Sequence, residues 1–269
     1  MTIHPTAVIE PQAEIGPDVT VGPFAYIQNG ARLGAGCVVA PHATIYGCVT
    51  LGAGCRVHAG AVLGDWPQDV AFKDEPSFVR IGDQCILREG VTIHRGTKAG
   101  TETVLGNQCF LMANSHVGHN TRLGHRVILA NGVLLAGYVE VGDGAFISGN
   151  AVVHQFNRIG RLAMVSGLSG LGKDLPPFCT TRGVRTNCVA GLNVIGMRRA
   201  GMTPAQRLEA KRAFKLLFTT GLNVRQALER LRADFPAGGP AHELADFVTA
   251  SKRGICAWAG VATGEEEAE

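Results

Sequence analysis

Residues 105–141 read LGNQCFLMANSHVGHNTRLGHRVILANGVLLAGYVEV. Every sixth residue of that stretch is aliphatic: Leu105, Leu111, Val117, Leu123, Leu129, Leu135 and Val141. The phase continues forward through Ile147, Val153, Ile159 and Val165 to Leu171. Backward it is kept at Ile93, Leu87 and Ile81, and again from Leu63 through Val57, Leu51, Ile45, Val39, Leu33, Ile27, Val21, Ile15 and Ile9 to Ile3. Two interruptions, near 64–80 and 94–104, leave the register unshifted. A fixed short period marks a solenoid, and six residues is the period of a parallel β-helix.

A second position supports the first. Four residues after the aliphatics stand small or β-branched residues, among them Ala25, Ala31, Cys37, Ala43, Val49, Cys55, Ala61, Cys85, Val91, Cys109, Ser115, Thr121, Val127 and Ala163. A narrow coil needs one large and one small inward side chain on each side. Glycine and aspartate fall between them (Gly34, Gly36, Gly52, Gly54, Gly142, Asp143), where a corner favours positive φ. The interruptions must leave such a solenoid as surface loops. The first carries Asp65-Trp66-Pro67-Gln68-Asp69, and the second Arg95-Gly96-Thr97-Lys98.

The period changes after Pro176-Pro177. The expected organisation is a β-helix over 1–177, an irregular bridge over 178–200, an α-helical domain over 201–258 and a disordered tail over 259–269. Thr203-Pro204 reads as an N-cap with proline at the first helical position, and Ala210, Phe214, Leu217 and Phe218 follow at helical spacing. Asn223 opens a second helix, and a third is expected over roughly 241–257. The fold class is mostly β.

Composition narrows the function classes. The chain has 269 residues, 46% of them hydrophobic, and a net charge of +3, too small to imply nucleic acid. No apolar run reaches the roughly 20 residues of a membrane span. The start, MTIHPTAVIEPQ, has neither the basic nor the apolar part of a secretory signal, so a cytoplasmic location is expected. The eight cysteines form no CxxC pair and read as buried thiols of a reducing compartment. Charge is uneven: nine Arg or Lys lie between 198 and 232 against Glu209 and Glu229, a surface suited to an acidic partner.

Nine histidines are many for this length, and His94, His116, His119, His125 and His154 fall within the repeat. Some hexapeptide enzymes hold zinc through three histidines. Here His119 and His125 are six apart, on successive sides of a coil, and two 18-residue coils before His119 stands Asp83. No metal is expected. An imidazole can instead serve as general base for a hydroxyl attacking an acyl carbonyl, a reaction that also needs an oxyanion donor. With three hexapeptides to a coil, Gly137 stacks on His119, and a glycine leaves its backbone N–H open.

The segments LREGVTIHRGT (87–97), LMANSHVGHNTRLG (111–124) and AVVHQFNRIG (151–160), with PQD at 67–69 and GLNVIGMRRAG at 191–201, closely resemble the acyl-carrier-protein-dependent UDP-N-acetylglucosamine O-acyltransferases of lipid A synthesis. The resemblance covers about 1–257. It implies a left-handed β-helix that trimerises, and transfer of a 3-hydroxyacyl chain from an acyl-carrier-protein thioester to the sugar 3-hydroxyl without a cofactor. It makes His119 the base and Gly137 the oxyanion donor, with Asn120 beside them. It assigns Asp69, Lys73, His116, Tyr138, His154, Gln155, Asn193 and Arg199 to the nucleotide-sugar acceptor. Gly167 falls at the acyl-length ruler, where an open position implies a longer chain. Arg198, Arg207, Lys211, Arg212 and Lys215 face the carrier protein.

The departures cluster on the acceptor side. The family has Asp where Asn120 stands and His where Tyr138 stands, and by register these two positions stack. It has Lys at Ala71, Glu at Ile195, Arg at Ala200 and, on a looser alignment, His at Thr186. Two alternatives therefore stand beside the main reading: the same acyl chemistry on another acceptor, such as a 3-amino nucleotide sugar, and a non-catalytic trimeric scaffold.

Overall fold

The structure, a computed structural model, describes residues 1–184 and 186–260. The tail expected from 259 onward therefore lies almost wholly outside the described residues. Each hexapeptide contributes a two-residue strand and a corner, and three hexapeptides close one turn of a left-handed parallel β-helix. Its three walls are one sheet each. The first begins at Thr2–Ile3 and passes Phe110–Leu111 and Ile128–Leu129 to Met164–Val165. The second runs from Val8–Ile9 through His116–Val117, Leu134–Leu135 and Val152–Val153 to Gly170–Leu171. The third runs from Glu14–Ile15 to Arg158–Ile159.

The register explains the unbroken phase. Most coils advance by 18 residues, as where Val117 pairs with Leu135. Arg56 pairs with Ile86 and Ile86 with Phe110, advances of 30 and 24. Both insertions are whole hexapeptides, so every aliphatic still points inward. They leave the helix as loops 66–77 and 95–101, slightly shorter than the pattern indicates, because the flanking strands extend to Val62–Asp65, Phe78–Ile81, Thr92–His94 and Glu102–Leu105. They also change what stacks on what. Asp83 sits under Asn107 and donates no group to the His119 corner; Asp65, paired in register with His94, is the carboxylate on that side.

The core is the predicted one from Val21 on, whereas in the first coil, which no coil covers from below, Ile3 is exposed and Ile9 and Ile15 are half-buried. The aliphatics from Val21 to Leu171 and the small residues between them are buried in a single cluster. Cys37, Cys55, Cys85 and Cys109 form a ladder in which each thiol donates to a glycine carbonyl one coil on: Gly52, Gly82, Gly106 and Gly124, at 3.1–3.2 Å. All eight cysteines are free.

The bridge over 178–200 is not irregular. Cys179–Thr181 and Cys188–Leu192 form an antiparallel pair, and helix α1 covers Val194–Arg199. Proline pairs and scattered polar residues hid strands too short to show a period. Helix α2 (Pro204–Phe218) starts at Thr203 in a capping box with Gln206, and α3 (Val224–Asp234) starts at Asn223 in another with Gln226. Helix α4 (Pro240–Thr249) ends eight residues before the expected 257; the chain then returns as strand Ala257–Trp258 beside Cys188–Leu192. The helices are fastened to the β-helix by the paired bonds of Arg161 to Glu243 and by Arg158 over the Phe247 ring. No helix among the described residues is long and apolar enough to cross a membrane.

Candidate active site

The second sheet ends, strand by strand, in a row of corners on one edge of the prism. His119 occupies one corner and Gly137 the next coil's equivalent. The corner residues that follow them, Asn120, Tyr138 and Phe156, all adopt positive φ of 59–65°. Asparagine takes that conformation more readily than aspartate's other common replacements, whereas Tyr138 and Phe156 are strained there. The column is held by Tyr138 N–H donating to the His119 carbonyl at 2.9 Å and by Phe156 N–H donating to that of Gly137 at 3.1 Å.

The imidazole of His119 lies across Gly137. A Cβ at 137 would overlap ring atoms Cε1 and Nε2, so the position admits only glycine without displacing the ring. The Gly137 N–H donates to no described residue. On its other side His119 Nδ1 is 3.0 Å from the Asn120 Oδ1 atom. The Tyr138 ring meets the imidazole edge to face at 5.3 Å and stacks on Phe156 at 4.8 Å.

A cleft of about 520 Å³ opens over this corner, lined by Gln68, His94, His116, Gly118, His119, Gly137 and Gln155, with Leu134 and Val152 on one flank. His94 is 6% exposed, meets the His116 ring edge to face at 4.9 Å and leaves its Nδ1 without a hydrogen-bond partner. Burial pushes the His94 pKa down; Asp65 offsets part of this, and His119 adds to it. Burial pushes His116 down to about 4, with His94 and His119 as lesser causes. Both imidazoles are therefore neutral at neutral pH, hydrogen-bonding groups without charge. His116 Nδ1 sits 2.8 Å from the Thr92 hydroxyl.

The structure thus gathers His119, Gly137, Asn120, His116, Tyr138 and Gln155 around one corner. His154 is next to Gln155 but turns its Nδ1 onto the Gln155 carbonyl at 3.0 Å and stays exposed outside the cleft lining. Asp69 sits in the loop whose Gln68 lines the cleft, and its carboxylate accepts the Ala71 N–H at 2.9 Å. Lys73 is exposed on the same loop. Gly167 lies at the far edge of the second sheet, three strands from the His116 row. Between them the outward side chains Leu134 and Val152 and the neighbouring Leu168 are 46–64% exposed, an apolar track about 14 Å long at the spacing of sheet strands.

Asn193 and Arg199 belong to a second cavity, of about 740 Å³, which they share with Arg126, Asp143, Phe146, Arg161, Ile195 and Ala200. Asn193 is occupied structurally at both ends of its amide: Oδ1 accepts Gly196 N–H as the cap of α1, and Nδ2 donates to the Leu162 carbonyl, both at 2.9 Å. Arg198, Lys211, Arg212 and Lys215 are exposed. Arg207 is half-buried, and one of its guanidinium N–H groups donates to the Met202 carbonyl at the α2 entrance.

Sequence reasoning missed three residues. His94, at the end of strand Thr92–His94, and Thr97 and Gln68, in the two loops, reach the corner only because the 24- and 30-residue coils bring them under it. The signal that pointed to them was the histidine directly after an inward aliphatic, Ile93. Among the described residues no group of three His, Cys, Asp or Glu is arranged to hold a metal.

Known proteins resemble the chain over nearly its whole length. The family model described as Udp N-acetylglucosamine O-acyltransferase, Domain 2, matches residues 174–256, and that of bacterial transferase hexapeptide (six repeats) matches 30–65 and 102–137. The acyl-[acyl-carrier-protein]–UDP-N-acetylglucosamine O-acyltransferase of Anaeromyxobacter sp. (strain Fw109-5) is 44% identical over 256 residues, 95% of this chain and 99% of that protein. That of Alkalilimnicola ehrlichii is 47% identical over 94% of this chain and 98% of its own. Among solved structures, the UDP-N-acetylglucosamine acyltransferase of Francisella novicida superposes with a TM-score of 0.91 at 34% identity, over 96% of this chain and 94% of its own. The Campylobacter jejuni enzyme gives 0.89 at 35% over 95% and 99%.

Proposed function

The chain belongs to the acyl-[acyl-carrier-protein]–UDP-N-acetylglucosamine O-acyltransferases, and from that premise we propose that it moves a 3-hydroxyacyl group from carrier-protein thioester to the 3-hydroxyl of UDP-N-acetylglucosamine, the first step of lipid A synthesis. His119 Nε2 takes the hydroxyl proton as the sugar oxygen attacks the thioester carbonyl. The new C–O bond leaves a tetrahedral oxyanion, which the Gly137 N–H receives. Collapse breaks the C–S bond, and the imidazolium returns its proton to the departing thiolate. Atoms and charge balance with no cofactor.

The observation that carries this reading is the His119 ring lying over a glycine whose N–H is uncommitted. A base and an oxyanion donor on adjacent coils is what acyl transfer needs and what a scaffold does not. The neutral His94 and His116 supply acceptor-side hydrogen bonds, and the track over Leu134, Val152 and Leu168 supports the acyl chain up to Gly167. Asp69 and Lys73 approach the sugar from the loop, with Gln155 beside them and His154 outside the cleft lining.

We also propose a homotrimer. The cavity at Arg126, Asn193 and Arg199 opens on a different wall from the His119 corner, and packing copies around a threefold axis would let one subunit's cavity complete its neighbour's cleft. The exposed cations Arg198, Lys211, Arg212 and Lys215 suit an acidic carrier protein. Free thiols throughout suit the reducing cytoplasm, where that reading puts the reaction.

The test is turnover of 3-hydroxyacyl carrier protein with UDP-N-acetylglucosamine, read by mass spectrometry, with light scattering for the assembly. Acylated sugar nucleotide formed by the wild type and absent with His119→Ala supports the reading. Equal product from both, or none from a folded wild type, overturns it.

A further inference from the structure

The residue next to the base, Asn120, brings no charge, yet its surroundings decide the proton positions on His119. The backbone N–H of Thr97 points at the Asn120 amide at 3.1 Å. A backbone N–H can only donate, so the amide atom it meets is the oxygen. The same oxygen is 3.0 Å from the Thr97 hydroxyl and 3.0 Å from His119 Nδ1. Facing a carbonyl oxygen, Nδ1 must carry the proton, which leaves the lone pair on Nε2. The Thr97 hydroxyl, having donated to Asn120, accepts from the Tyr138 hydroxyl at 2.9 Å.

We propose that Thr97 and Tyr138 are positioning residues of the base, which through the Asn120 carbonyl lock His119 in the Nδ1–H tautomer and so compensate for the missing carboxylate at 120. The proposal rests on the reading of His119 as base but concerns a chain of neutral groups that the family's charged partner would make unnecessary. Each link is held independently. Thr97 is 9% exposed. The Asn120 N–H donates to the Thr103 hydroxyl at 2.8 Å, and Thr103 in turn donates to the His94 carbonyl at 2.7 Å. The Tyr138 ring, clamped between the His119 edge and the Phe156 face, cannot swing its hydroxyl away.

Loop 95–101, which presents Thr97, is itself tied to the acceptor loop. Arg95 pairs with Asp74 and lies over the Phe72 ring, the Glu75 carboxylate accepts the Ala99 N–H at 2.6 Å, and the Ser77 hydroxyl donates to the Gly96 carbonyl at 2.6 Å. The loop that carries Asp69 therefore sets where Thr97 stands. Titratable groups facing the His119 ring are His94 and His116 across the cleft and Tyr138 from the next coil, with Asp65 behind His94.

The experiment uses the full chain with ¹⁵N-labelled histidine, His119 being assigned by its loss in His119→Ala. At alkaline pH the wild type should show His119 as the Nδ1–H tautomer. Thr97→Val and Asn120→Ala should give a tautomer mixture. In turnover, Thr97→Val should lower kcat about tenfold and Tyr138→Phe a few-fold, with KM for the acceptor kept. Asn120→Asp should move the acidic limb of the kcat profile up by about one pH unit, because a carboxylate stabilises the imidazolium, and should rescue Tyr138→Phe. An Nε2–H tautomer in the wild type, an unchanged tautomer in Thr97→Val, or an acidic limb that stays in place in Asn120→Asp overturns the proposal. A wild type with the expected tautomer but no turnover would count against the acyltransferase reading and leave the tautomer lock standing.

Discussion

The ring of His119 occupies the space that a side chain at Gly137 would need, one coil further along the helix. The base and oxyanion donor proposed above are thus set by the rise between two coils of a sheet, about 4.8 Å, rather than by a flexible loop. Gly137 is not among the positive-φ residues, so alanine fits its backbone and only the contact with the ring opposes it. Gly137→Ala should therefore fold, shift its unfolding midpoint by no more than a few degrees, and lose about 10²–10³-fold in kcat as the imidazole is displaced from the donor. Calorimetry and steady-state turnover check it; a variant that keeps wild-type kcat would separate Gly137 from the chemistry.

The neutral histidines make a prediction about acid. In the folded chain His116 titrates at about 4, and His94 is also held down. Unfolded, each takes up its proton near 6.5. Above that pH both states are neutral and the full stability is present; as pH falls from about 6.5 toward 4 the unfolded state binds protons that the folded state refuses, and stability is lost. His116 should account for a loss on the order of 2 kcal/mol across that window. Denaturant melts at pH 7 and 4.5 should show the drop, and His116→Gln should flatten it. A drop of equal size in the variant would assign the acid sensitivity elsewhere.

The apolar track gives a prediction about chain length. A Cβ at Gly167 would meet the Gly149 carbonyl at 3.3 Å and the Ser148 hydroxyl at 3.5 Å, so a side chain there fits once the Gly149 carbonyl gives by a few tenths of an ångström. Gly167→Met should shorten the preferred 3-hydroxyacyl chain. Each methylene that no longer fits is worth about 0.8 kcal/mol, close to fourfold in selectivity. Competition between carrier proteins loaded with long and short chains measures it. Unchanged preference would mean that the chain ends before reaching Gly167.

How much of this could be read in the sequence follows from what the repeat encodes. The inward positions carry the period, so the coil, its core and the stacking of Gly137 on His119 and Tyr138 on Asn120 were legible from residue spacing alone. The loops carry no period. Their lengths, 12 and 6 residues beyond a normal coil, keep the phase but move the partners, and counting by 18 led to Asp83 where Asp65 and His94 belong. His94 and Thr97 went unassigned for the same reason. Asn193 was legible as an acceptor contact and Arg207 as a carrier-protein contact, but the helix cap made by the one and the bond donated by the other to the Met202 carbonyl were not, because those partners come from the folded backbone.

Ile195 and Ala200 line the same cavity as Arg199, where the family's pattern has Glu and Arg. Under the proposed function Arg126 and Arg199 meet the nucleotide diphosphate in that cavity, beside Asp143, while Arg161 is already paired with Glu243. One guanidinium fewer removes a charge-assisted contact that is equally available to substrate and transition state. Its loss belongs in KM. Ala200→Arg should therefore lower KM for UDP-N-acetylglucosamine about tenfold, the equivalent of roughly 1.4 kcal/mol, and leave kcat unchanged. A panel that includes a 3-amino sugar nucleotide decides between the two acceptors. Faster turnover of the amine by the wild type, with no gain for the alcohol in Ala200→Arg, would make the substitutions an adaptation to that acceptor rather than a weakened grip on the ordinary one.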